Sequence, residues 1–468
     1  RLKRFSRSAE VSSQRLPSIF DELPPRLMEL TDAPESFIYA GTLFIMSAIY
    51  GPFVKPVLKY YTTARPKIWL WLIGHSGISR KTTVLRLIGQ ILRGVLPPEC
   101  FLSPDFTKEG FIEDLRPQGD EPVFRDKPGI VIKDEFGGQM LEIRNKQYLM
   151  GLTSFINSLY DETPVSRRLR SERITVPGRN YILFAGGLTT PISEYVSIHD
   201  FKSGFANRFM LVYGKSERFI PTFPTEEEEI QIERGETPAE RIFNECVEVV
   251  KKRYEWIKNL YEANGRQPLR VYVLDEDIRR YLIYFEERIK EFVKGRLDQN
   301  PDDVEALYVT RLFKHLVAIL TFIAVDKPKV LPDPSNLYFI IDSEHVQQTL
   351  IEISGNKILF RGLFRELMEP TLKYLVKDYM TPKRRQLEEK LEAFIKRYNE
   401  REGLVSRNII YQKFTPRLSG KELNELLEAL ADAGRVRVFK KRGSRGTYLW
   451  HIDAGEPPTG SEFMEVRF

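Results

Sequence analysis

Cysteine is nearly missing from this chain, with two residues, Cys100 and Cys246, among 468. That excludes a disulfide framework and a four-cysteine zinc site, and it suits a reducing, intracellular setting. Histidine is almost as scarce, and none of the five residues falls at a usual metal-ligand spacing. There is no Gly-x-Ser-x-Gly nucleophile elbow and no catalytic Cys–His pair, so the commonest hydrolase chemistries drop out. The chain opens without a secretory signal pattern and holds no solenoid repeat and no low-complexity tract. One long uncharged run exists, over residues 36–54, long enough to span a bilayer. Tyr39, Thr42, Ser47, Tyr50, Gly51 and Pro52 interrupt its apolarity, so a buried helix with no membrane partner is the expectation.

What is present is core material. At 42% hydrophobic and 12% aromatic, the composition supports folded domains, and the length suits two to four of them. Lys and Arg outnumber Asp and Glu by 71 to 65, a surplus that permits a polyanionic partner without requiring one. Abundant Glu, Lys and Arg with little Cys fit a thermophile. A chain that begins on Arg1 is expected to be a piece of a longer product.

Residues 1–15 read as a basic tail, and residues 17–65 as helical. The run 68–73 is apolar throughout and too short for a helix, so it is expected to be a strand buried on both faces. Further strands are expected at 129–133, 181–185 and 209–213, with helical patterns between them. That alternation predicts an α/β layered domain over 66–215. The acidic run 225–229 reads as a solvated connector. Helical patterns, including 278–293 and 304–325, fill 216–380, a small unit covers 381–455, and 456–468 is a Gly/Pro-rich tail.

Directly after the first strand comes Gly74-His75-Ser76-Gly77-Ile78-Ser79-Arg80-Lys81-Thr82-Thr83. A phosphate-binding loop needs small residues whose N–H groups converge on phosphate oxygens, a lysine for the β- and γ-phosphates, a hydroxyl for Mg²⁺, and a helix start behind them. Lys81 and Thr82 fill the chemical roles, and Gly74, Ser76, Gly77, Ser79, Arg80 and Thr83 complete the candidate ATP-binding set. Arg80 stands where the usual spacing has glycine, and a plain Gly/Ser turn beside a basic pair is the competing account. The strand 129–133 then ends in Asp134-Glu135, the first acid suited to the Mg²⁺ shell and the second to activating water. The strand at 181–185 runs into Gly186-Gly187-Leu188-Thr189-Thr190, where Thr189 or Thr190 can orient that water; an ordinary turn is the alternative. Arg208, just ahead of the strand at 209, is placed to cross a subunit boundary onto a neighbour's γ-phosphate, or else to make a local salt bridge.

On these residues the segment 17–325 resembles the ATPase module of AAA+ ring helicases of the minichromosome-maintenance and superfamily-3 type, as in primase–helicase proteins of phages, plasmids and archaeal mobile elements. Gly74, Ser76, Gly77, Arg80, Lys81 and Thr82 match that group's G-x-S-G-x-x-R-K-[ST] loop. Asp134-Glu135, Gly186-Gly187-Leu188-Thr189 and the stretch before Phe209 follow in the group's order. The resemblance implies an AAA+ P-loop core with helical N-terminal and lid regions, ATP and Mg²⁺ as cofactors, and a ring, a hexamer, acting on single-stranded or forked DNA. It further implies a cytoplasmic, nucleoid-associated protein with a primase or polymerase partner or domain. It casts Arg208 as the arginine finger and Arg311, in a lid helix, as a second arginine on the γ-phosphate, with Lys314 in reserve.

Two basic elements are candidate DNA contacts. Arg167, Arg168 and Arg170 lie in a basic hairpin pattern ahead of the 181–185 strand; in the resembling class such a hairpin lines the pore, while a solvated basic face is the plain alternative. The C-terminal unit reads helix, helix, helix, hairpin, a winged-helix pattern whose turn carries Lys441, Arg442 and Arg445. Its third helix is acidic, which favours backbone contact by the wing or a protein-docking role over base reading. Two rivals to a helicase remain: an initiator or loader ATPase that does not unwind, and a winged-helix DNA-binding protein that has lost hydrolysis.

Overall fold

The apolar run after Lys67 forms the strand Trp69–Gly74, with all six residues buried. Parallel strands lie on both of its edges, Ile182–Thr189 on one and Phe209–Tyr213 on the other, and Gly129–Lys133 pairs in parallel with the outer side of Ile182–Thr189. One more parallel rung, Phe101 against Ile130, extends the sheet beyond Gly129–Lys133. With no edge and no face left to water, the central strand has no reason to alternate polar and apolar residues. Trp69 and Trp71 share one face. There Trp71 stacks on Phe209 with ring centroids 3.9 Å apart, and Trp69 meets Tyr160 edge-on at 4.9 Å. Each such buried aromatic contributes roughly 2–3 kcal/mol.

The computed structural model describes residues 16–466 apart from 60–64, 106, 118–120, 146–150, 169–172, 222, 235–236, 333–335, 350, 355–356, 380–381, 415–419, 433–434, 442–445 and 458–462. The chain divides into two units between Asp378 and Tyr379. In the first, the uncharged run near residue 40 is the helix Glu35–Tyr50, buried along most of its length. Among the described residues one stretch, Val304–Asp326, is long and apolar enough to cross a membrane, and 72% of its apolar window is buried. It is not one continuous helix, because Val304–Val309 and Leu312–Asp326 are separated at Thr310-Arg311.

The regions flanking the sheet are less purely helical than their periodicity predicts. Val54–Pro56 pairs in parallel with Leu269–Tyr272, which pairs in parallel with Tyr338–Ile340, so three short strands join segments far apart in sequence. The acidic run is solvated as expected, and takes the form of an exposed helix, Glu226–Glu233, capped by Thr225 with Glu228 closing the capping box.

A buried carboxylate ties the N-terminal helix to the far end of this unit. Asp326 accepts hydrogen bonds from the N–H groups of Ile19 and Phe20, each at 3.0 Å, from Ser18 Oγ at 2.7 Å and from the Tyr50 hydroxyl at 2.6 Å. Arg253 stands 3.7 Å from it and donates to the carbonyls of Pro17, Leu16 and Asp326 itself. Asp326 thus caps the helix Ile19–Leu30 from about three hundred residues away.

The second unit has the helices Pro382–Glu402, Arg407–Phe414 and Gly420–Asp432 around a core that includes Leu391, Ile395, Leu423, Leu427 and Leu449. Its antiparallel sheet runs Val405–Ser406, Thr447–His451, Val436–Lys441, Phe463–Val466. The last strand falls within the segment read from its Gly and Pro content as a tail. Alternation over four residues is too short to stand out beside that composition.

Candidate functional site

Gly74 ends the central strand where the chain folds back on itself. A Cβ there would lie 2.6 Å from Ser79 Cβ and Oγ, so only glycine fits. Ser79 Oγ donates to the His75 carbonyl at 2.7 Å, closing the loop, and Ser76 and Gly77 stand exposed at its tip. Arg80, the residue that departs from the usual spacing, occupies the left-handed region with φ 54°. That is the conformation glycine adopts freely and other residues at a cost of about 1–2 kcal/mol. Asp32 holds it there by a two-point pair, Nε to Oδ1 at 2.7 Å and Nη2 to Oδ2 at 3.2 Å. The helix Lys81–Arg93 begins at once, with no side chain capping its first turn, so its N-terminal N–H groups face the loop.

Lys81 lies at the base of this turn. Its Nζ donates to the Gly74 carbonyl at 2.7 Å and to the His75 carbonyl and Ser79 Oγ, each at 3.3 Å. Burial lowers its pKa, and the charges of Glu135 and Asp134 oppose that shift, so both acids stand within electrostatic reach of the ammonium. Thr82 Oγ1 donates to Asp134 Oδ1 at 2.7 Å, while Thr83 is half-buried in the same helical turn. Glu135 is exposed beside Asp134, and a Cβ on Gly137 would lie 3.2 Å from its Oε1, so that glycine leaves the carboxylate room.

The third wall is the strand inserted between the loop strand and the acid strand. Gly187 comes so close to the Asp134 carbonyl that a Cβ would sit 2.3 Å from its oxygen. Thr189 is paired with Gly74 at the strand end, and Thr190 Oγ1 lies 2.9 Å from His75 Nδ1. Of the two threonines the sequence left open, Thr190 bonds to the loop and Thr189 flanks it. His75 and Asp32 are the loop partners the residue pattern did not single out; neither belongs to a recognisable spacing. Lys81, Thr82, Asp134, Glu135 and the Thr189–Thr190 pair therefore meet at the C-terminal ends of the parallel strands, where open α/β sheets place their ligands.

Arg208 and Arg311 lie elsewhere. Phe209 pairs with Trp69, so Arg208 stands at the N-terminal ends of the strands, on the order of 17 Å from Gly74. Its Nη2 is 2.5 Å from Asp161 Oδ2, its Nη1 donates to the Gly204 carbonyl at 2.6 Å, and its side chain is 8% exposed. Arg311 sits with Arg208 rather than with Lys81, its Nη1 4.0 Å from Asp161 Oδ1. Asn207 fastens the two segments together, donating from Nδ2 to the Leu307 carbonyl at 2.7 Å and to Thr310 Oγ1 at 3.1 Å.

His315 completes that fastening, donating from Nε2 to the Asn207 carbonyl at 3.1 Å, and burial lowers its pKa from 6.5 to about 4. With the folded-state value below the unfolded one, the unfolded chain takes up the proton first. The contribution to stability is full above about pH 6.5 and falls as the pH drops toward 4, by up to about 3 kcal/mol. The urea midpoint is accordingly expected to fall between pH 7 and pH 5 more steeply for the parent chain than for His315→Gln. Parallel curves would rule out this group as a source of acid sensitivity.

Of the candidate DNA contacts, the hairpin pattern is an antiparallel pair, Val165–Arg168 with Arg173–Val176, which places the backbone of Arg167 and Arg168 in its first strand. Arg170 lies outside the described residues, as do Arg442 and Arg445. Lys441 ends a strand of the second unit with its Nζ 5.8 Å from the Phe463 ring centre. No protein-family model and no curated protein matches the chain.

Proposed function

We propose that the chain is an ATP-hydrolysing, DNA-acting motor of the AAA+ ring-helicase type, with a winged-helix unit at its C-terminal end. The observation that carries this reading is the convergence of Lys81, Thr82, Asp134 and Glu135 around one loop, with the Ile182–Thr189 strand between the loop strand and the acid strand. The donor set suits Mg²⁺: a hydroxyl and a carboxylate already share a hydrogen bond at 2.7 Å, both on hard oxygen atoms. Thr82 and Asp134 would hold the ion, which supplies charge neutralisation on the β- and γ-phosphates.

In this reading Lys81 exchanges its bonds to the Gly74 and His75 carbonyls for β- and γ-phosphate oxygens of ATP. The uncapped helix start and the loop N–H groups hold the remaining phosphate oxygens. Water attacks the γ-phosphorus, the bond from that phosphorus to the bridging oxygen of ADP breaks, and Glu135 accepts the proton leaving the water. Thr189 or Thr190 positions that water. Arg208, far from its own loop, acts on the site of an adjoining copy, which makes a ring of subunits, a hexamer, the assembly this reading calls for. The basic hairpin and the wing supply sequence-independent phosphate contacts to single-stranded or forked DNA.

An ATPase assay with and without single-stranded DNA, followed by strand displacement on a forked duplex, tests the proposal. The expected result is Mg²⁺-dependent hydrolysis that DNA stimulates severalfold, together with displacement of the strand. No hydrolysis under any condition overturns the reading, and hydrolysis without displacement replaces the helicase with a loader-type switch.

A further inference from the structure

The helix Leu152–Tyr160 is followed by two acids, Asp161 and Glu162, at the end where the helix dipole disfavours negative charge. Glu162 moreover has φ 52°, a strained value for a residue with a side chain. The chain keeps both acids, and they face different cations. Glu162 is buried and engaged by Arg65 Nε at 3.2 Å and Lys67 Nζ at 3.1 Å, an internal cluster of one acid and two cations. Asp161 is 37% exposed and faces Arg208 and Arg311, whose guanidinium groups lie 5.7 and 5.8 Å from the Tyr160 ring centre.

The charges at Asp161 do not balance. Arg208 and Arg311 share one carboxylate, an excess of one positive charge. Two of the guanidinium donors, Arg208 Nε and Arg311 Nη1, are buried with no hydrogen-bond acceptor among the described residues. Burying such donors without an acceptor costs stability. What the two arginines lack is an acceptor with several oxygens and negative charge, which is the chemistry of a phosphoryl group.

We propose that Asp161 is a resident competitor at Arg208 and Arg311, and that a nucleotide phosphate presented to these arginines by a second copy of the chain has to displace it. This rests on the reading of Arg208 given above. In the lone protomer Asp161 parks both arginines, so the site accepts a phosphate only by releasing its own carboxylate. Asp161 thereby sets the threshold at which a neighbour's nucleotide engages the two arginines.

The test uses tripolyphosphate as probe and the full chain carrying Lys81→Ala, which disables the loop site and keeps a failure of that site separate from a failure of this one. By calorimetry at low ionic strength, adding Asp161→Asn is expected to tighten tripolyphosphate binding about tenfold, and adding Arg208→Ala to that variant is expected to abolish the gain. Should Asp161→Asn unfold early, the same answer is read from melting: tripolyphosphate then raises its Tm by more than it raises that of the Lys81→Ala parent. Unchanged or weaker binding on removal of the carboxylate, with no larger Tm rise, overturns the proposal, as does a gain that survives Arg208→Ala.

Discussion

Glu135→Gln is expected to lower ATP turnover by about 10³-fold while leaving ATP affinity within a few-fold of the parent. A positioned general base contributes roughly 10²–10⁴-fold, and the amide keeps the shape of the carboxylate without its basicity. Glu135 is exposed at the mouth of the site and is not among the groups that hold the loop closed, so the substitution leaves Lys81 and the Thr82–Asp134 bond in place. Lys81→Ala acts differently. It removes the donor that bridges Gly74, His75 and Ser79 as well as the cation proposed for the phosphates, so both binding and turnover are expected to fall. Nucleotide binding measured alongside single-turnover hydrolysis separates the two. Full activity in Glu135→Gln would falsify the water-activation role, whatever the lysine variant does.

Asp326→Ala should destabilise the chain by about 3–5 kcal/mol, the range for removing one partner of a buried, hydrogen-bonded ion pair. The loss has two parts. Ile19, Phe20, Ser18 and Tyr50 each lose an acceptor, which leaves the helix Ile19–Leu30 its Ser18 cap but frees its first two N–H groups, and Arg253 keeps its carbonyl partners but loses its counter-charge. Asp326→Asn retains one carbonyl oxygen and the side-chain volume, so it should lose less than the alanine variant. Urea unfolding of the full chain followed by circular dichroism gives both values. A shift below about 1 kcal/mol for Asp326→Ala would mean that the Ser18 cap and the apolar face hold the helix without Asp326.

The strands at 129–133 and 209–213 have the limits their sequence predicts, and the central strand is displaced by only one residue, because a strand buried on both faces writes itself as an unbroken apolar run. The strand expected at 181–185 continues to Thr189, since Gly186 and Gly187 carry no apolar signal although they pair with Trp71 and Leu72. The three-residue strand Val54–Pro56 gives no periodic signal at all; only its partners Leu269–Tyr272 and, beyond them, Tyr338–Ile340 make it a strand. Lys81, Thr82, Asp134 and Glu135 were legible as a group because their roles are tied to short spacings beside strand ends.

Asp32, His75, Asp161 and Asp326 were not legible, since each acts on a partner distant in sequence, and a lone acid or imidazole has no local pattern. Where the central strands run, and which side chains gather at their C-terminal ends, is legible in short stretches of chain, because burial and loop chemistry are written within a few consecutive residues. That Arg80 takes a glycine-like conformation against Asp32, and that Arg208 and Arg311 share one carboxylate at the opposite end of the sheet, follows from the folded arrangement alone. Coulomb and hydrogen-bond partners are chosen by proximity in space, and that proximity exists only once the chain has folded.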